Sequence, residues 1–268
     1  VKNKNQFRAM FTGFAAVAIP VIFVVALLLY IYVLGNPQNF QGNNINNNPL
    51  PGNYLGIVYK GGVIVPILMT LMLIVITFTI ERFITITKAK GKGSVNNFVA
   101  KVHTNLSAKN LDSAMNECDK QKGSVASVVK AGLLKYKDMI PEKALNRDQK
   151  VIAIKQEIEE ATSLELPMLE QNLVIIATIA SIATLMGLLG TVLGMIKAFS
   201  ALATAGAPDA VALASGISEA LINTALGIST SALAIIFYNY FTTKIDKLTY
   251  SIDEAGVAIV QNYAANYN

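Results

Sequence analysis

Residues 173–202 read LVIIATIASIATLMGLLGTVLGMIKAFSAL, thirty positions whose single charge is Lys197 and which carry a regular scatter of Gly, Ser and Thr. About 20 apolar residues cross a bilayer as a helix, so this run is long enough to span one. Ala177, Ser181, Thr184, Leu188, Thr191, Met195 and Ala198 recur at spacings of three and four and share one helical face. Gly187, Gly190 and Gly194 lie beside that face, where small residues let membrane helices approach closely. Residues 211–241, VALASGISEALINTALGISTSALAIIFYNYF, form the next apolar run. Ser215, Glu219, Asn223 and Thr230 gather on one side of it, with Thr224, Gly227 and Ser231 on the adjoining side. A helix polar over about half its circumference turns that half towards protein or water rather than lipid.

Folding the two runs back on each other about residue 208 sets side chains at matched heights. Thr191 lies 17 residues before that point and Thr224 16 after it; Thr184 and Ser231 match one layer deeper, 24 before and 23 after. Lys197 and Glu219 each lie 11 residues away and share a shallower layer, where they are expected to form an ion pair. Hydroxyls both donate and accept hydrogen bonds. Such layers either relay protons and hold a partner's carboxylate, or merely bond back to their own helix carbonyls. Glu219 has two readings as well: a structural partner of Lys197, or a functional carboxylate, since an acid inside a membrane is costly to bury.

Working outward, two further runs are long enough to span. Residues 9–34 contain no charge and include Pro20, which is expected to kink the helix. The run exceeds the 7–15 apolar residues of a cleaved signal, so it reads as a retained helix. Residues 62–80 end at Glu81-Arg82. The whole chain of 268 residues is 53% apolar and 15% charged, with mean hydropathy +0.47. A soluble domain carries about 25% charged residues. The basic residues follow topology: Lys2, Lys4 and Arg8 precede the first span, only Lys60 lies in 35–61, fifteen lie in 82–170, and Lys244 and Lys247 follow the last span. Positive charge accumulates on the cytoplasmic side. Both termini and the long middle segment are therefore expected inside. That distribution accounts for the net charge of +5 without nucleic-acid binding.

The loop 35–61 is crowded with Asn and holds Pro37, Pro49 and Pro51; it reads as a flexible or PPII-like connector that buries no core. In the cytoplasmic segment, Val95, Phe98, Val99 and Val102, then Val125, Val128, Val129, Leu133 and Leu134, follow helical spacing. A charged helix is expected to start at Pro141 and run through Ile152, Ile158, Leu164 and Leu166. Pro167 marks its kink or restart at the membrane. One cysteine (Cys118) and one histidine (His103) supply neither a disulfide, a metal cluster nor a catalytic triad. No nucleophile-base pair or phosphate loop is present, and neither cofactor nor enzymatic activity is expected.

Residues 187–196 (GLLGTVLGMI), 216–227 (GISEALINTALG) and 237–241 (FYNYF), together with Glu81-Arg82 at the cytoplasmic membrane edge, resemble the MotA/TolQ/ExbB proton-channel family over most of 62–245. ExbB and TolQ fit better than MotA, because the large cytoplasmic part precedes the Thr hairpin. The resemblance implies a homopentamer whose central pore holds the transmembrane dimer of an ExbD-like partner. Inward proton flow would drive a TonB-like protein that energises outer-membrane transport. By motif position Thr191 and Thr224 match the family's pore threonines and Glu219 its helix glutamate. Thr184, Ser231, Ser181 and Asn223 complete the expected pore lining. The proton-carrying aspartate would belong to the partner. Two features depart from the pattern: the additional helix 9–34, expected to face lipid at the periphery, and Lys197 at a position expected to be uncharged.

The expected fold is all-α, a polytopic inner-membrane protein with four transmembrane helices, long helices extending into the cytoplasm and a helical cytoplasmic region. Its divisions are 1–34 (stub and extra helix), 35–61 (periplasmic loop), 62–86 (transmembrane helix), 87–170 (cytoplasmic region), 171–242 (pore-forming hairpin) and 243–268 (cytoplasmic tail). The expected function is a proton-channel stator of ExbB type. A TolQ-like motor for envelope integrity and a non-conducting scaffold are the alternatives.

Overall fold

The computed structural model describes the backbone of residues 2–204 and 210–267, with side chains from residue 13 onward apart from 202 and 204. The side chains of Lys2, Lys4 and Arg8 and the connection at 205–209 lie outside the described residues. Those described are almost entirely helical. In chain order the helices are α1 (Lys2–Leu28), α2 (Tyr54–Tyr59), α3 (Val65–Lys90), α4 (Val95–Ser107), α5 (Leu111–Gln121), α6 (Gly123–Met139), α7 (Arg147–Glu170), α8 (Leu173–Thr204) and α9 (Ala210–Asn266). Four stretches are long and apolar enough to cross a membrane, in α1, α3, α7–α8 and α9. The chain divides into two compact units, one built from 1–80 and 174–238, the other from 81–173 and 239–268.

The first unit holds the apolar runs. Helix α1 passes through Pro20 and widens into a π-helical turn at Leu29–Leu34. Val17, Val21, Val24 and Leu28 stay exposed, as suits a helix facing lipid. The loop after it differs from the expected flexible connector, because several of its asparagines bond to the backbone. Asn39 is buried and donates to Val33 O at 2.8 Å and Leu34 O at 2.9 Å, carbonyls that the end of the helix leaves open. Asn53 donates to Asn39 Oδ1 at 3.0 Å and caps α2 through Gly56 N. Tyr59 stacks on Tyr30 at 4.7 Å between ring centres, and Phe40 meets Tyr59 edge-on. A polar composition thus builds a small ordered cap.

The second unit is a helical assembly with its own core. Phe98, Val102, Val125, Val129 and Leu133 are buried, at the positions the spacing picked out, and Leu106 joins them; Leu134 is exposed. The expected helix start at Pro141 is corrected. Pro141 sits in a turn, and α7 begins six residues later behind a capping box of Asn146 and Gln149. A side-chain acceptor at Asn146 outcompetes the preset φ of Pro141 as a start signal. The stripe read along this helix also shifts: Ile152 and Leu164 are exposed, while Ile154, Ile158 and Leu169 are buried. Pro167 is carried inside α7, and the break falls at Asn172, whose φ is 67°. The stretch 243–266, read as a tail, continues α9 as helix. Ile245, Leu248, Ile252, Ala255, Ile259 and Tyr263 recur at three- and four-residue spacing and are all buried. Tyr263 closes the core by donating to Met139 O at 2.8 Å.

Candidate functional site: the hydroxyl-bearing hairpin

Helices α8 and α9 meet along a seam of small residues. A Cβ at Gly194 would sit 2.8 Å from Ala220 N, one at Gly216 2.7 Å from Ala198 Cβ, and one at Gly227 2.6 Å from Ala183 O. No side chain fits at those distances. The glycine row of α8, not its hydroxyl row, is therefore the packed face. This close approach brings polar side chains together across the seam.

Thr191 and Thr224 share a hydrogen bond through their hydroxyls. Thr191 also donates to Gly187 O at 3.2 Å. A hydroxyl has one proton, so with Thr191 giving its own to that carbonyl, Thr224 donates to Thr191. The lone pairs of Thr224 then remain for an outside donor, such as a water or a protonated carboxyl. Both side chains are half-buried.

Lys197 Nζ lies 2.7 Å from Glu219 Oε2, with 66% of the Lys197 side chain exposed but only 12% of Glu219. The carboxylate is seated at Gly62: a Cβ there would come within 3.0 Å of Glu219 Cδ and overlap Oε1. The backbone of Gly62, at φ 77°, also favours glycine.

Two expected placements are corrected. Thr184 and Ser231 form no layer. Thr184 is exposed, whereas Ser231 is buried and donates to Ala180 O across the seam. The backbones come near at Gly227, and Ser231 reaches a backbone carbonyl of α8 rather than the Thr184 hydroxyl. Asn223 does not line an open face either. It is 1% exposed, bonded through Nδ2 to Gly61 O at 2.8 Å, and occupies the space left by Gly190, whose Cβ would fall 2.8 Å from that nitrogen. Ser181 stays on the exposed side of α8.

In the other unit, Arg82 is fully buried. It donates to Glu81 from Nε at 2.6 Å and from Nη2 at 2.5 Å, and to the carbonyls of Met168 and Leu169 at 3.3 and 3.1 Å. The guanidinium thus satisfies carbonyls at the end of α7 while the neighbouring carboxylate balances its charge. The sequence reading missed Gly61-Gly62 and Asn39. A Gly-Gly pair directly before an apolar run was the available signal for the first.

Residues 120–254 match the model of the MotA/TolQ/ExbB proton channel family. That stretch is half of the chain and contains the whole described hairpin. The chain belongs to the MotA/TolQ/ExbB proton channel family. Among similar proteins, a putative biopolymer transport protein ExbB-like 3 of Synechocystis is 38% identical over 86 residues, 31% of this chain and 41% of that protein. The Tol-Pal system protein TolQ of Pseudomonas aeruginosa is 32% identical over 124 residues, 46% of this chain and 54% of its own length. The biopolymer transport protein ExbB of Helicobacter pylori is 41% identical over 81 residues, 30% and 56% respectively. The match thus spans about half the length of these family members. Relatives named ExbB and TolQ stand side by side, and the family is one of channels rather than enzymes.

Proposed function

We propose that this chain is the proton-channel stator subunit of an ExbB–ExbD-like inner-membrane motor, in which the proton gradient energises outer-membrane transport through a TonB-like protein. The observation that carries the reading is the half-buried hydroxyl pair Thr191–Thr224, held by two adjoining spans. A carboxyl on a partner's transmembrane helix, reaching the pair, would donate to Thr224 when protonated; when ionised it would accept Thr224's one proton, with Thr191 turning its own from Gly187 O to the Thr224 oxygen. Several copies of the hairpin, five on the family pattern, would enclose an ExbD-like dimer. Both termini and 87–170 lie in the cytoplasm on this reading, because the basic residues concentrate there. The extra helix α1 faces lipid. Thr191→Ala and Thr224→Ala are expected to abolish energised transport in cells while co-purification with the partner persists. Normal transport in both variants would sink the assignment.

A TolQ-like motor for envelope integrity is the second reading, favoured by the length of the match to the Pseudomonas protein. The neighbouring genes separate the two, since a TonB-like neighbour supports the first. A complex that assembles yet moves no protons would instead support a scaffold.

A further inference from the structure

Asn223 is, with Thr230, the most enclosed polar side chain of the described hairpin, each 1% exposed, and the hydroxyl pair does not use it. Its Nδ2 donates to Gly61 O at 2.8 Å, while Oδ1 is buried with no partner. The amide cannot be turned round, because that would set Oδ1 against the Gly61 carbonyl. A buried acceptor left unmatched costs free energy, and one apolar residue of similar size would avoid that cost. The donor half of the amide is therefore what the site uses. One turn earlier on α9, the Glu219 carboxylate occupies the place of a side chain at Gly62. Two side chains four residues apart thus hold two consecutive backbone residues just before α3. Glu219 is also Lys197's partner, and Asn223 is the direct neighbour of Thr224, which bonds Thr191.

We propose that Asn223 and Gly62 are positioning residues: with Glu219 they clamp α9 onto the Gly61–Gly62 backbone, fixing its height and rotation so that Thr224 meets Thr191 and Glu219 meets Lys197. The clamp rests on the motor reading for its consequence, proton transfer, but not for its geometry. Residues 35–61 are tied to the same point, since Tyr30 donates to Tyr59 O at 3.2 Å and Lys60 to Ile45 O at 2.8 Å. Tyr30 also lies within electrostatic reach of Glu219, and Lys60 of Lys197.

Asn223→Asp tests the clamp. It keeps the shape of Asn223 but, when ionised, loses the donor to Gly61 O; when protonated, it regains one. Proton uptake by vesicles containing the full complex is expected to fall about tenfold at about pH 7.5, and to return towards the wild-type rate at about pH 5.5 as the buried carboxyl takes up its proton. Asn223→Ala is expected to stay low at both pH values. Hydrogen exchange of the amides of residues 54–65, compared with wild type at equal pH, is expected to quicken in both variants at the higher pH and to normalise for Asn223→Asp alone at the lower. Wild-type uptake by Asn223→Asp at the higher pH, or equal losses by both variants at both pH values, overturns the proposal. If neither accumulates in the membrane, Gly62→Ala carries the test: a loss of about tenfold is expected, and undiminished uptake overturns it. A wild-type complex that moves no protons counts against the motor reading, and hydrogen exchange then decides the clamp alone.

Discussion

Arg82 bears a full charge with none of its surface exposed, and only its partners make that tolerable. Truncating it leaves the half-buried Glu81 carboxylate and two helix-end carbonyls unmatched. Arg82→Ala is expected to lower the stability of the purified protein by about 3–5 kcal/mol, read as a fall in thermal midpoint in detergent. Arg82→Lys is expected to recover little, since an ammonium cannot fork between a carboxylate and two carbonyls. Cys118 illustrates burial without function. Desolvation, and then the charge of Asp119, push its thiol from 9.0 up to about 12. The folded thiol therefore keeps its proton when an unfolded one would lose it. Its contribution to stability is complete below about pH 9 and drains away as pH rises towards about 12. The folded protein at pH 8 is expected to resist maleimide labelling and to react once unfolded; rapid labelling of the folded protein would contradict the burial. Comparing wild type with Cys118→Ala between about pH 9 and 10 should show the steeper decline in wild type.

Helices decide which of these residues meet. The glycine seam of α8 and α9 is the clearest case, because bulk at Gly227 would separate Thr224 from Thr191. Gly227→Leu is expected to break the hairpin, seen as loss of the assembled complex from the membrane; a stable, active variant would contradict the seam. What the sequence made legible at this scale follows from physics. Apolar length marked all four spans, since a membrane admits few alternatives to a helix. Equal distance from a turn put Thr191 opposite Thr224 and Lys197 opposite Glu219. Counting along a hairpin gives height but not azimuth, however, so it also matched Thr184 with Ser231, whose hydroxyl found a backbone carbonyl instead. The Asn-rich loop reads as a flexible or PPII-like connector because composition reports missing apolar surface, not side chains that cap a helix end. The continuation of α9 past residue 242 was hidden for the opposite reason: its apolar stripe is interrupted by charges that face water, so it did not look like part of a span.

At the scale of the molecule, one unit carries most of the apolar runs and the other a separate helical core, and the chain passes from one to the other inside α3, α8 and α9. The chain belongs to a proton channel family, and the hairpin supplies chemistry suited to the proposed channel: paired hydroxyls and no permanent charge at their layer. The direct test is proton uptake by vesicles holding the chain with its co-expressed partner under an imposed gradient. Wild type is expected to take up protons, and Thr191→Ala/Thr224→Ala to be slower by about tenfold or more with the complex still assembled. Equal rates in the two complexes would contradict the account.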